Sequence, residues 1–144
     1  MIQRVQSIWL LLAAAAAFFT LNFSFYSGNL IKPDVTPATK AFVRVTAQSN
    51  ILLLILTVGV GIASVIGIFM YKDRKQQLRI CLAAIVASLI NIVLYFLQVK
   101  KFVPGEGAYE LWAAFSFLIP VFLILAARGI YRDQKLVKSL DRLR

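Results

Sequence analysis

The sequence predicts an all-α membrane protein: a four-transmembrane-helix bundle that ends in a cytoplasmic amphipathic helix. Three observations predict it. The 144 residues are 60% hydrophobic, with a mean hydropathy of +0.80, more apolar than a soluble domain of that size can bury. All 16 basic and 6 acidic residues fall in five short patches separated by uncharged stretches of 27, 27, 20 and 17 residues. Each stretch is long enough to cross a hydrocarbon core of roughly 30 Å at about 1.5 Å per residue. Lastly, the bases are unevenly shared. Arg4, then Lys72, Arg74, Lys75 and Arg79, then Arg128, Arg132, Lys135, Lys138, Arg142 and Arg144 share one side, against Lys32, Lys40, Arg44, Lys100 and Lys101 on the other. The positive-inside rule therefore expects both termini in the cytoplasm.

The first span is expected over residues 5–25, with Trp9 and Tyr26 at the two interfaces. Its alanines, Ala13 to Ala17, imitate the end of a signal peptide. The apolar run nevertheless continues through Phe18, Phe19, Leu21, Phe23 and Phe25, past the roughly 7 to 15 residues of a signal core. An outer loop follows over 26–50, broken by Ser27-Gly28-Asn29, Pro33 and Pro37. Residues 41–47 alternate enough to permit a short strand or an interfacial segment, with no evident partner strand.

The second span, 51–71, carries Gly59, Ala63 and Gly67 at four-residue spacing, with Gly61 and Ser64 nearby. Small residues so spaced let helix backbones approach, within the bundle, in a homo-oligomer or around a ligand groove. A tight basic turn, Tyr71 to Arg79, makes the second and third spans antiparallel neighbours. The third span, 80–99, places Ala84, Ser88, Asn91, Tyr95 and Gln98 on one stripe. An unpaired Asn91 in hydrocarbon costs several kcal/mol, so this stripe is expected to face other helices or a wet cavity. The fourth span, 109–127, contains Pro120, which removes the hydrogen bond to the Ser116 carbonyl and is expected to bend the helix. Residues 128–144 form the tail, with Leu136, Leu140 and Leu143 on one face. Arg128, Arg132, Lys135, Lys138 and Arg142 supply candidate contacts to a partner or to anionic lipid.

Catalytic chemistry is sparse. The chain has no histidine and one cysteine, Cys81, which argues against haem ligation, a Ser-His-Asp triad, the usual zinc sites and disulfide shuttling. No acid lies inside a span as a proton-coupled antiporter requires, and the basic patches mark topology, not a nucleic-acid interface. The expectation is no enzyme, no cofactor and no metal. Thr20, Ser24, Asn50, Thr57, Asn91, Tyr95, Gln98 and Ser116 would either line a polar pocket or hydrogen-bond between helices, the latter at about 0.6 kcal/mol per pair.

The opening residues, Met1-Ile2-Gln3-Arg4-Val5-Gln6-Ser7-Ile8-Trp9-Leu10-Leu11, and the tail from Asp133 to Arg144 resemble a bacterial family catalogued as domain of unknown function 4293. The likeness covers the whole chain, with Gln134 where that family is expected to carry an acid. It implies a small four-span protein of the inner (cytoplasmic) membrane and transfers no catalytic residue. The leading expectation is a non-enzymatic accessory or scaffold subunit of a membrane complex, in contact with lipid and with other membrane-protein subunits or further copies of itself. The alternative is a small transporter or lipid-binding protein with a polar pocket around Asn91.

Overall fold

Four helices carry most of the chain: α1 (Ile2–Asn22), α2 (Ile51–Phe69), α3 (Arg74–Val99) and α4 (Ala113–Asp141). The computed structural model describes residues 2–30 and 42–141, so the expectations for Pro33, Pro37, Lys32, Lys40 and Arg142 lie outside the described residues. All four helices are long and apolar enough to cross a membrane. Their outer faces present Leu11, Ile55, Phe69, Val86, Val93 and Ile124 at half exposure or more. A continuous apolar belt of this kind is unfavourable in water and matched by lipid, which points to a multi-pass membrane protein.

The helices alternate in direction, and each packs on two neighbours: α1 and α3 both lie against α2 and α4. The alanines of α1 make this possible. Ala13, Ala16 and Ala17 are buried against Val60, Ile119, Leu123 and Ala126, so the run that imitates a signal peptide is a close-packing face. On α2 the small residues divide. A methyl group at Gly61 would lie 3.1 Å from the Phe18 ring, and one at Gly67 would lie 3.4 Å from Leu10. Gly59 has nothing within 4 Å of that position. The packing face of α2 therefore runs through Gly61, Ser64 and Gly67, and Gly59 is excluded from it because the four-residue step drifts around a helix of 3.6 residues per turn.

The expectation of a purely helical fold is corrected by a small antiparallel sheet, β1 (Tyr26–Leu30), β2 (Phe42–Val45) and β3 (Phe102–Tyr109), in the order β2-β1-β3. The strand anticipated within 41–47 does form, and its partner is β1: Tyr26 pairs with Val45 and Ser27 with Arg44. On the other side Tyr26 pairs with Tyr109 and Gly28 with Gly107, with a register shift between Gly28 and Leu30. β3 holds Pro104 and Gly105, residues that usually break a strand. Proline is tolerated there because β3 is an edge strand, and Gly105 adopts φ +85°. Gly107 is required by packing, since a Cβ there would collide with the Tyr26 ring.

Helix boundaries also differ from the sequence expectation. Charged residues mark the ends of the expected spans, yet Lys and Arg are good helix formers where a helix leaves the apolar layer. α3 accordingly begins at Arg74, leaving a turn of only residues 70–73. α4 begins at Ala113, after β3 has taken Tyr109, and runs through Pro120 without interruption to Asp141. The described part of the expected C-terminal helix is thus a continuation of α4 and not a separate element. At the opposite end Asn50 caps α2, its Oδ1 accepting the Leu52 N–H at 2.9 Å.

Candidate functional site

Two polar regions are built into the helical body. The first lies on α3, where Gln77, Cys81, Ala84, Ser88, Asn91 and Tyr95 are all buried. Their steps of four, three, four, three and four keep one face inward, so the stripe read from Ala84 to Tyr95 is buried, Gln98 is half-buried, and the face continues about two turns toward the N-terminus of α3 from Ala84. Its members are tied in different ways. Gln77 Nε2 donates to the Gly67 carbonyl at 2.7 Å, and the Cys81 thiol to the Leu123 carbonyl at 3.3 Å, bridging α3 to α2 and to α4. Ser88 turns its hydroxyl back to Ile85 of its own helix at 2.7 Å, so it contributes small size and not a cross-link.

Asn91 Nδ2 donates to Thr57 Oγ1 at 2.9 Å. Tyr95, 1% exposed, stacks on Phe25 with ring centroids 4.5 Å apart, and its hydroxyl sits beside Thr20 and Thr57. Thr20 in turn donates to the Ala17 carbonyl at 2.7 Å. Among the described residues, two atoms of this layer, Asn91 Oδ1 and the Tyr95 hydroxyl, are buried with no partner in hydrogen-bonding geometry. Of the eight polar residues that would line a pocket or hydrogen-bond between helices, Asn91 and Thr57 share an interhelical hydrogen bond among the described residues. Thr20, Thr57, Asn91 and Tyr95 form the layer, Ser24 and Ser116 are buried, Asn50 caps α2, and Gln98 is half-buried.

The second region lies at the other end, where α1 starts and α4 leaves the body. Gln6 Nε2 donates to Asp133 Oδ2, and both side chains are buried. Arg74 Nη1 donates to the Asp133 backbone carbonyl at 3.1 Å, so α1, α3 and α4 meet at one residue. Gly129 lets Gln6 approach, since a Cβ there would lie 2.8 Å from Gln6 Cγ. Gln6, Gln77 and Asp133 are site residues that the sequence reading does not single out: Asp133 and Gln77 fall within charged patches, and Gln6 at the edge of a span. The signal was available: Leu123, Ala126, Ile130 and Asp133 continue at three- and four-residue steps and are all buried. Beyond Gln134 the pattern stops, and residues 135–139 are all exposed.

Arg128, Arg132, Lys135 and Lys138 are exposed at this end as well. A cleft of about 630 Å³ opens between the turn before α3 and the last turns of α4, lined by Lys72, Asp73, Arg74, Lys75, Gln134, Val137 and Lys138. A separate apolar groove of about 370 Å³ runs between α2 and α3, and Gly59 and Ala63 face it together with Ala83 and Ala87. Neither hollow is lined by Asn91 or Tyr95.

No curated protein matches the chain. The family model described as a domain of unknown function, DUF4293, matches residues 2–143. That match spans every helix and strand described above, and the chain belongs to this family.

Proposed function

We propose that this protein is a non-enzymatic accessory or scaffold subunit of a membrane complex, held in a bacterial inner (cytoplasmic) membrane with both termini in the cytoplasm. The orientation follows from the bases. Lys72, Arg74, Lys75, Arg79, Arg128, Arg132, Lys135 and Lys138 gather at the end where α4 leaves the body, against Arg44, Lys100 and Lys101 at the sheet end.

One observation carries the scaffold reading: α4 outruns the layer it would cross. Its 29 residues span about 44 Å at 1.5 Å per residue, against roughly 30 Å of hydrocarbon. Packing on the body ends at Asp133 and Gln134. The rest presents Leu136 and Val137, 52% and 42% exposed, between Lys135 and Lys138. An apolar strip flanked by cations suits the acidic, apolar face of a partner helix or of another subunit.

The test is purification of the tagged full chain from native membranes in a gentle detergent, beside a variant ending at Gln134. That variant keeps Ile130 and Asp133 packed, which a cut at 128 would not. The expected outcome is a partner that accompanies the full chain and is lost from the shorter one. Recovery of the full chain alone would overturn the reading.

The transporter or lipid-binding alternative retains one supporting observation, the unpartnered Asn91 Oδ1 and Tyr95 hydroxyl. Transport or ligand retention abolished by Asn91→Leu in a folded protein would favour it over the scaffold.

A further inference from the structure

We propose that the cleft between the α2–α3 turn and the end of α4 is a binding site for the headgroup of a phospholipid bearing two phosphates. The positive-inside rule accounts for bases at this end, but not for their convergence. Lys72, Arg74 and Lys75 come from one segment and Lys138 from another more than sixty residues later, and all four line one hollow of about 630 Å³. Asp73 is the one carboxylate among the lining residues, so the wall carries three net positive charges. None of the four cations has an ion pair among the described residues. Bringing four cations together with a single carboxylate among them is unfavourable, and an anion of two or more charges relieves it.

Depth selects the source of that anion. A hydrocarbon core of roughly 30 Å takes up about 20 residues of helix, so a span entered at Ala113 emerges near residue 132. The cleft residues of α4, from Gln134 to Lys138, then lie at the level of the lipid phosphates. Val137 adds an apolar contact, which a free phosphate does not need and a lipid does. The site is also partly preorganised: Arg74 is held by the Asp133 carbonyl at 3.1 Å, and Asp133 is fixed by Gln6. Basic pockets between helix ends on the cytoplasmic face recognise multiply charged headgroups by this chemistry.

The experiment uses the full chain in an uncharged detergent, with bound lipid read by native mass spectrometry and independent of any protein partner. The probes are tetraoleoyl cardiolipin, dioleoylphosphatidylglycerol and inorganic pyrophosphate. The proposal expects one cardiolipin per protein, retained at least fivefold better than phosphatidylglycerol at equal phosphate. The variant Lys72→Gln/Lys75→Gln/Lys138→Gln should lower that retention at least tenfold. A control that removes the same charge at the sheet end, Arg44→Gln/Lys100→Gln/Lys101→Gln, should stay within about twofold of the unaltered protein. Equal loss in both variants would reveal diffuse attraction and overturn the site. Absence of preference between the two lipids would overturn it through the unaltered chain alone. Displacement of cardiolipin by equimolar pyrophosphate would assign the cleft to a soluble phosphate and overturn the lipid.

Discussion

The two ends of this molecule are closed by different chemistry. At the sheet end Phe25, Tyr26, Val45, Leu53, Tyr95 and Phe102 form a second buried cluster beneath three paired strands, and Tyr26 packs edge-on to both Phe102 and Tyr109. Rings fill that end, and the backbone satisfies itself through the ladder, Phe25 alone bonding to Val45 at 2.7 Å and to Glu110 at 3.2 Å. At the basic end few side chains do the joining: Gln6 to Asp133, Arg74 to the Asp133 carbonyl, Gln77 to the Gly67 carbonyl. Past them lie an open cleft and an uncovered helix end. The contrast separates a region whose large rings are spent on its own stability from one where, among the described residues, Lys72, Lys75 and Lys138 have no ion pair and Leu136 and Val137 are exposed.

The largest effect is expected at the aromatic end. Tyr95→Ala removes a fully buried ring and its stack on Phe25, and should cost about 3–5 kcal/mol in reversible unfolding from mixed micelles. Tyr95→Phe keeps the ring and deletes a hydroxyl without a partner, so stability should hold or rise. A loss above about 1 kcal/mol in Tyr95→Phe that persists in a Thr20→Val/Thr57→Val background would show that the hydroxyl is engaged by something beyond the chain, and would revive the polar pocket.

Gly107→Val comes next, at about 1–3 kcal/mol, because the added carbons meet a rigid Tyr26 ring within a paired strand. Asp133→Ala, its counterpart at the basic end, leaves the buried Gln6 amide without its acceptor and should cost about 1–2 kcal/mol. If Asp133→Ala proved the more damaging of the two in the same unfolding assay, the basic end and not the sheet would be the stability centre.

The smallest effects sharpen the functional side of the comparison. Gly59→Leu projects into an open groove and should change stability by no more than about 0.5 kcal/mol. Removing the residues after Gln134 should be equally mild, since 135–139 are exposed. If a co-purifying partner is lost on Gly59→Leu while the shortened chain retains it, the docking face lies in the α2–α3 groove instead of on the α4 extension.

How far the sequence reached depends on the kind of signal. The spans were legible because hydrocarbon excludes charge, and gaps between charged residues located all four helices. The inward face of α3 was legible for a similar reason, since Ser88, Asn91 and Tyr95 are polar where lipid tolerates little polarity. The same rule failed at helix ends. Arg74 to Arg79 are charged yet helical, and the helix expected from Arg128 onward continues α4 without a break, because water accepts a charged helix as readily as a charged loop. It also failed for Asp133, a charged residue buried by a glutamine 127 positions away.

The sequence by itself determined the number of spans, the asymmetry of charge and the faces that cannot meet lipid, because each depends on transfer of a residue between water and hydrocarbon. Only the tertiary structure decided that Phe102–Tyr109 is a strand, that Gly61 and Gly67 pack while Gly59 does not, and that four cations share one cleft with the end of α4. Those outcomes depend on which surfaces distant segments bring together, and no local property of a residue carries that information.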